Sequence, residues 1–230
     1  MSLILNIESA TEICSISIAS NGELIALKET TESQQHAKLL TVFIDELFKE
    51  NSISIKELDA VAVSKGPGSY TGLRIGVSAA KGIAYAGGLP LIAISTLQAL
   101  ALGVSKNQEF EKNTWFCPMI DARRMEVYTA FYDSENKIQK EISADIIDGN
   151  SYQDILRDRK IIFFGNGAEK CMASIQSPNA HFIKEIRCSS TQMVELSYKA
   201  FSNKDFVDVA YFEPFYLKDF IATIPRKNIF

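Results

Sequence analysis

Histidine and cysteine are scarce in this 230-residue chain, which limits the metal chemistry it can support. It has two histidines, His36 and His181, and four cysteines scattered without a Cys-x-x-Cys pair. Two histidines cannot build a His-rich metal site, so no metal ligands are predicted. Scattered cysteines are typical of reduced thiols, because disulfides form in oxidising compartments, and this pattern favours a cytoplasmic protein.

Long apolar runs and an excess of basic charge are also missing. No run of about 18 apolar residues occurs, so no membrane-spanning helix is expected, and the N-terminus lacks the basic start of a signal peptide. The net charge is −4, which argues against a broad basic face for nucleic acid on this chain alone. An apolar content of 47% over this length instead predicts a globular protein with a large core.

The most informative stretch is 65–76, Lys-Gly-Pro-Gly-Ser-Tyr-Thr-Gly-Leu-Arg-Ile-Gly. It follows an apolar alternating run that predicts a strand, and it precedes a segment rich in Ala and Ile that predicts a helix. The glycines permit a tight turn between them, and Ser69 or Thr71 is a candidate N-cap. Such a helix start can hold an anion, but a well-capped turn explains the same residues. The spacing fits neither a Walker A loop nor a dinucleotide-binding fingerprint.

The helix after this loop carries small residues on one face, where Gly72, Gly76 and Ala79 are followed by Ile83. An interior glycine costs a helix roughly 1 kcal/mol relative to alanine, so two of them need a reason. Close approach of another helix or strand is the favoured reason. Packing against the chain's own sheet is the alternative to contact with a partner.

A second helix is predicted at 33–50, with Ser33 as its cap. Its apolar positions span well over half of the helical wheel, whereas a surface helix needs a stripe of about 100°. We therefore expect this helix to be covered on two sides, either inside the fold or by a partner. His36 lies on this face with Leu40 at i+4, so packing or capping is predicted for it and not metal ligation.

The opening pattern of the chain recurs in its second half. A strand ending on Glu8 is followed by a tight turn and a hairpin, and a strand ending on Asp121 is followed by the same features. Duplication of a unit is a signal of the fold, and the polar stretch after residue 104 marks a boundary. The prediction is an α/β protein with two similar lobes, at 1–104 and 105–230, each a mixed sheet flanked by helices. The second lobe is expected to be smaller and degenerate.

Three further elements are predicted in the second half. A helix is expected after the Gly165-Asn166-Gly167 turn and through residue 175, and an amphipathic helix is expected at 189–203. The segment 211–217 contains a proline, so an extended edge segment is predicted there.

The two acid turns resemble those of actin-like ATPases and sugar kinases, in which each half offers a carboxylate and a glycine-containing turn to phosphates and a hydrated metal. Here neither turn contains glycine, so side chains occupy the space that a phosphate needs. The fold is therefore expected with a degraded nucleotide cleft and no catalytic residues. The candidates for weak nucleotide binding are Glu8, Ser9, Thr11, Asp121 and Arg123.

Three segments together resemble the TsaB (YeaZ) family. They are Ile7-Glu8-Ser9, the stretch 65–76, and Asp121-Ala122-Arg123-Arg124-Met125-Glu126-Val127-Tyr128. The resemblance covers nearly the whole chain, and it departs at Tyr70, where Phe is common, and at Lys218, where Arg is common. Members resemble actin-like ATPases and are regarded as inactive relatives of TsaD. The resemblance thus implies the two-lobed actin-like fold, no enzymatic activity and no cofactor.

The resemblance also implies a pathway and partners. The family takes part in forming N6-threonylcarbamoyladenosine beside the anticodon of tRNAs that read codons beginning with A. TsaD carries the metal and the transfer chemistry, the ATPase TsaE joins the complex, and tRNA is met through that complex. The implied TsaD contact lies on the first two long helices, which are also implied to pair two copies when TsaD is absent. The implied partner-binding residues are Leu39, Leu40, Phe43, Leu47, Gly72, Gly76, Ala79 and Ile83.

Two alternatives of other classes stay open at this point. One is a nucleotide-binding regulator, in which Arg123, Arg124 and the helix start at 68–71 hold ADP or ATP without turnover. The other is a metal-dependent peptidase or an active kinase of the same fold, which needs a metal site.

Overall fold

Two five-stranded sheets form the frame of the chain in a computed structural model that describes residues 2–30, 35–107 and 109–218. The first sheet contains β1 (Leu3–Glu8), β2 (Cys14–Ser20), β3 (Glu23–Thr30), β4 (Ala60–Gly66) and β5 (Leu91–Ser95). The second contains β6 (Trp115–Asp121), β7 (Glu126–Tyr132), β8 (Ile138–Ile146), β9 (Ile161–Phe164) and β10 (Ala180–Ile183).

The two sheets share one topology, which confirms the predicted duplication. Their strand orders are β3-β2-β1-β4-β5 and β8-β7-β6-β9-β10. In each sheet the first three strands in the chain pair antiparallel, and the two later strands add parallel to the first. The β2–β3 hairpin turns at Asn21 and Gly22, which both have positive φ, as the Asn-Gly signal predicts.

Helices cover both faces of the first sheet. The helices α1 (His36–Glu50) and α2 (Tyr70–Gly87) pack on the face that Leu5, Ile7 and Val63 present. On the opposite face, α5 (Val194–Ser202) packs on Ile4 and its neighbours. A parallel sheet buried on both faces needs apolar residues at successive positions, which explains the near-continuous apolar runs in β1 and β4.

Helix α3 (Thr96–Asn107) lies between the two sheets. Leu97, Leu100 and Val104 join the core of the second sheet, whereas Ala99 packs with the core of the first. The other face of the second sheet is covered by α4 (Gln153–Asp158) and a short 3-10 turn (Glu169–Cys171). Because α3 packs on both lobes, it ties them together.

The expected lobe boundaries need a correction. The helix α3 continues to Asn107, beyond the predicted boundary after residue 104. The chain also returns to the first lobe, since α5 packs on the first sheet and Val207 makes a bridge with Leu91 of β5. The segment from about 190 to 218 therefore belongs to the first lobe, not to a second lobe of 105–230.

Two local predictions differ from the structure. The helix expected through residue 175 is only the 3-10 turn Glu169–Cys171, since the N–H groups of Cys171 and Met172 donate to carbonyls three residues before them and not four. The segment 211–217 contains no strand, although the Phe215 N–H donates to the Lys65 carbonyl of β4 over 2.7 Å. Helix α2 begins at Tyr70 and is capped by Ser69, one of the two predicted candidates. The predicted cap Ser33 and the tail 219–230 lie outside the described residues.

Candidate functional site

In the first acid turn, the backbone N–H groups after Glu8 already have hydrogen-bond partners within the chain. Glu8 ends β1 with 1% of its surface exposed, and its carboxyl oxygen Oε1 accepts a hydrogen bond of 2.6 Å from the Ala10 N–H. The Ser9 N–H donates to Ser64 Oγ of β4 over 3.2 Å. Burial raises the pKa of Glu8 to about 7, although hydrogen bonds from Ala10 and Ser64 oppose the rise. Neither Ser9 nor Thr11 is exposed, so the turn offers little to a ligand.

The second acid, Asp121, is exposed but already paired. It ends β6, forms an ion pair with Lys170, and accepts a 3.0 Å hydrogen bond from the Arg123 N–H. Lys170 also donates to the Glu126 carbonyl over 2.7 Å. Lys170 thus already pairs with the carboxylate that would bind a hydrated metal ion in an active relative of this fold.

The two acid turns meet through one side chain. Asn166 donates from Nδ2 to Glu12 Oε2 over 2.8 Å, and its Oδ1 accepts from the Asp121 N–H over 3.0 Å. The structure therefore brings the turns of Glu8 and Asp121 to one cleft between the lobes. Sequence reasoning missed Asn166 and Lys170, although the Gly-Asn-Gly triplet after β9 marked a turn there.

The glycine loop packs against the first acid turn. The Ser69 N–H donates to the Ala10 carbonyl over 2.6 Å, and Ser69 Oγ caps α2 by accepting from the Gly72 N–H over 3.2 Å. A Cβ on Gly68 would overlap the Ala10 carbonyl. The N–H of Ser69 and that of Gly72 thus have partners within the chain. The loop is the capped turn, and Ser69 is the residue that caps it.

The small face of α2 packs on the chain itself, which corrects part of the expected partner surface. A Cβ on Gly72 would overlap the Ser9 carbonyl, and one on Gly76 would overlap Ser9 Oγ. The packing alternative is therefore right for these two glycines. On α1, Leu40 and Leu47 each expose 1% of their surface, because they face the first sheet. These four residues cannot contact a partner as expected.

The other four expected partner residues are partly exposed. Leu39 and Phe43 of α1 and Ala79 and Ile83 of α2 all retain contact with solvent. Beside them, the same two helices expose side chains that were not predicted. Val42 is 44% exposed, Tyr85 is 85% exposed, and a Cβ on Gly82 would meet no atom within 4 Å.

His36 is packed, as predicted, and its ring has a partner. It is 6% exposed, and its Nε2 donates to the Ile13 carbonyl over 2.9 Å. All four cysteines are free and buried. Across residues 2–30, 35–107 and 109–218, no three His, Cys, Asp or Glu side chains come together to hold a metal ion.

In the part of the chain that the structure describes, none of the helices has the length and apolar character needed to cross a bilayer.

Comparison with known proteins identifies the class and then the family. The family model described as TsaD, tRNA N6-adenosine threonylcarbamoyltransferase, matches residues 28–225. A solved structure titled YeaZ from Pseudomonas aeruginosa superimposes with a TM-score of 0.81 at 24% identity, covering 94% of this chain and 100% of that one. The two lobes with mixed sheets therefore form the actin-like ATPase fold, as predicted.

Two named relatives specify the family. The tRNA threonylcarbamoyladenosine biosynthesis protein TsaB of Bacillus subtilis is 30% identical over 169 residues, 71% of this chain and 70% of that protein. TsaB of Escherichia coli K12 is 35% identical over 134 residues, 57% of this chain and 55% of that protein. The chain belongs to the TsaB (YeaZ) family, and it spans about half the length of the E. coli relative.

Proposed function

We propose that this chain is a non-catalytic partner of a TsaD-type protein in the formation of N6-threonylcarbamoyladenosine on tRNA. The product would lie beside the anticodon of tRNAs reading codons beginning with A, and a TsaE-type ATPase would join the complex. The family membership supports the pathway, since the named relatives are threonylcarbamoyladenosine biosynthesis proteins.

One observation carries the non-catalytic part of the proposal, namely that both acids of the cleft are already engaged. Glu8 is buried beneath its own turn, and Asp121 is paired with Lys170. A magnesium–nucleotide complex needs ionised carboxylates facing water and free backbone N–H groups at the helix start. These residues do not fit such a complex, because the Ser69 N–H at the helix start is not free: it donates to the Ala10 carbonyl.

The docking part of the proposal rests on the outer faces of α1 and α2. These two helices pack side by side on the first sheet, and between them they leave Leu39, Phe43, Ala79 and Ile83 partly exposed. The open space above Gly82 would let a partner helix approach closely. Tyr85 stands beside it, and tyrosine is enriched among residues that dominate binding energy. The same face would pair two copies when the partner is absent.

Co-purification with a TsaD-type protein tests the proposal through a matched pair of variants. Gly82→Glu should abolish association, because it puts a charge on the docking face at a site where the chain itself has room. Gly149→Glu is the control, since Gly149 is also open but lies in the loop before α4. Association that survives Gly82→Glu would contradict the docking face. Modification of tRNA that proceeds without this chain would contradict the function.

A further inference from the structure

The hairpin tip between β6 and β7 carries two arginines in an unfavourable backbone conformation. Arg123 has φ of 72° and Arg124 has φ of 51°, and both side chains are exposed. The left-handed region disfavours residues with a Cβ, and hairpin turns that need it usually take Asn or Gly. A turn that keeps Arg-Arg at a conformational cost indicates that the side chains serve a purpose.

The acidic neighbours of the tip are neutralised by lysines. Asp121, on one side, pairs with Lys170, and Glu126, on the other, pairs with Lys218. Neither guanidinium forms an ion pair with a carboxylate of residues 2–30, 35–107 and 109–218. With Glu12, which Asn166 links to Asp121, the surroundings of the tip hold four cations against three carboxylates in a chain whose net charge is −4. Such a local excess of positive charge attracts polyanions.

An aromatic cluster continues this basic surface onto the first lobe. Tyr216, two residues before Lys218, has its ring centroid 4.8 Å from that of Tyr70 at the start of α2. The guanidinium of Arg74 lies 4.5 Å from the centre of the Tyr70 ring. Because Lys218 reaches Glu126 beside the tip, the cluster and the tip lie on one rim of the cleft. Cations next to aromatic rings are typical of surfaces that bind single-stranded nucleic acid.

We propose that Arg123 and Arg124 bind the phosphate backbone of RNA. The arginine fork matches two phosphate oxygens, and the tip carries two consecutive exposed arginines. That the RNA is a tRNA rests on the proposed function, whereas the binding of RNA phosphates rests on the charge of the rim. The overall acidity of the chain does not oppose this, since the basic groups are gathered at one place.

The test replaces the tip by a pair of residues that suits its backbone. Arg123→Asn with Arg124→Gly removes both charges but favours positive φ, so it should raise Tm by about 2–4 °C. The matched control is Lys56→Gln with Lys112→Gln, which removes two exposed charges that precede β4 and β6, at the other ends of the strands. Binding of an unmodified tRNA transcript is measured against salt concentration, with the full chain alone and with its TsaD-type partner.

The tip variant should bind the transcript roughly tenfold or more weakly, and the slope of log affinity against log salt should fall by about 1 to 2. The control should keep both values. Unchanged RNA binding by the tip variant, or an equal loss in the control, would overturn the proposal. Binding of ATP and of polyglutamate is measured in parallel, as a nucleotide and an acidic peptide. A tip variant that binds one of these more weakly but binds the transcript as before would also overturn the proposal. Association with the partner is measured on the same samples, so failure of the proposed function is seen separately.

Discussion

Asn166 of the second lobe donates a 2.8 Å hydrogen bond to the carboxylate of Glu12 in the first lobe. The same amide accepts from the Asp121 N–H over 3.0 Å. One side chain thus connects the two acid turns. In an active relative of this fold, phosphates and a metal ion would lie between these turns. Here the Asn166 side chain connects the two turns directly.

Asn166→Ala should loosen this link without unfolding the chain. Asn166 is exposed, so the loss of two hydrogen bonds should cost only about 1 kcal/mol of unfolding free energy. The amide proton of Asp121 should exchange faster with solvent, while that of Val63 in the first sheet should keep its rate. An unchanged exchange rate at Asp121 would show that Asn166 does not accept a hydrogen bond from this N–H in solution.

Glu8→Gln should change how stability depends on pH. Glu8 has a pKa of about 7 in the folded chain and 4.5 as its ordinary value, so the unfolded chain releases this proton first. The contribution of Glu8 to folding stability is therefore fully present below about pH 4.5 and is lost as pH rises through about 7, by about 3 kcal/mol. Glutamine cannot ionise, so urea denaturation of the variant should lack this contribution. A variant that is less stable than wild type at pH 8 would contradict a raised pKa of Glu8 in the folded chain.

Two glycines on the same helix should respond in opposite ways to alanine. Gly76→Ala places a methyl group on Ser9 Oγ in a packed interior, so it should cost about 1–3 kcal/mol. Gly82→Ala meets open space, and the better helix propensity should add up to about 1 kcal/mol. Thermal unfolding of the pair compares them directly. Equal effects would mean that α2 does not pack on the first acid turn.

Lys81→Met should release the C-terminal part of the chain from α2. Lys81 Nζ donates to the carbonyls of Ala210 and Phe212, each over 3.0 Å. Methionine keeps most of the side-chain volume but removes the donor, so limited proteolysis should cut near Tyr211 sooner. Tyr211 is itself 85% exposed, so the site is accessible once the backbone moves. A cleavage rate equal to that of wild type would show that the lysine does not hold this segment.

Local patterns in the sequence predicted most of the fold. Alternating apolar runs placed the strands, Asn21-Gly22 placed a hairpin, and the repeated acid turn predicted two lobes of one topology. The packing of the last third was harder, because α5 returns to the first sheet by contacts distant in sequence. No periodicity in a single element shows which sheet it will cover.

The candidate site was predicted only in part, for the same reason. The acids were found by their positions at strand ends, and the absence of glycine in their turns predicted that the cleft is degraded. The pairing of Asp121 with Lys170 joins residues 49 apart in sequence, and no local pattern reveals it. Gly72 and Gly76 were assigned to a partner because small residues look alike whether they face another protein or the chain's own Ser9.

One reconstituted assay separates docking by this chain from catalysis by it. Threonylcarbamoyl transfer to tRNA is measured with all components, using Glu8→Gln with Asp121→Asn in one sample and Gly82→Glu in another. On the proposal that this chain docks and does not catalyse, the double variant should keep the wild-type rate within about twofold, while Gly82→Glu should lose activity together with association. A fall of about 100-fold or more in the double variant with the complex intact, the size expected for a lost acid or base, would contradict it.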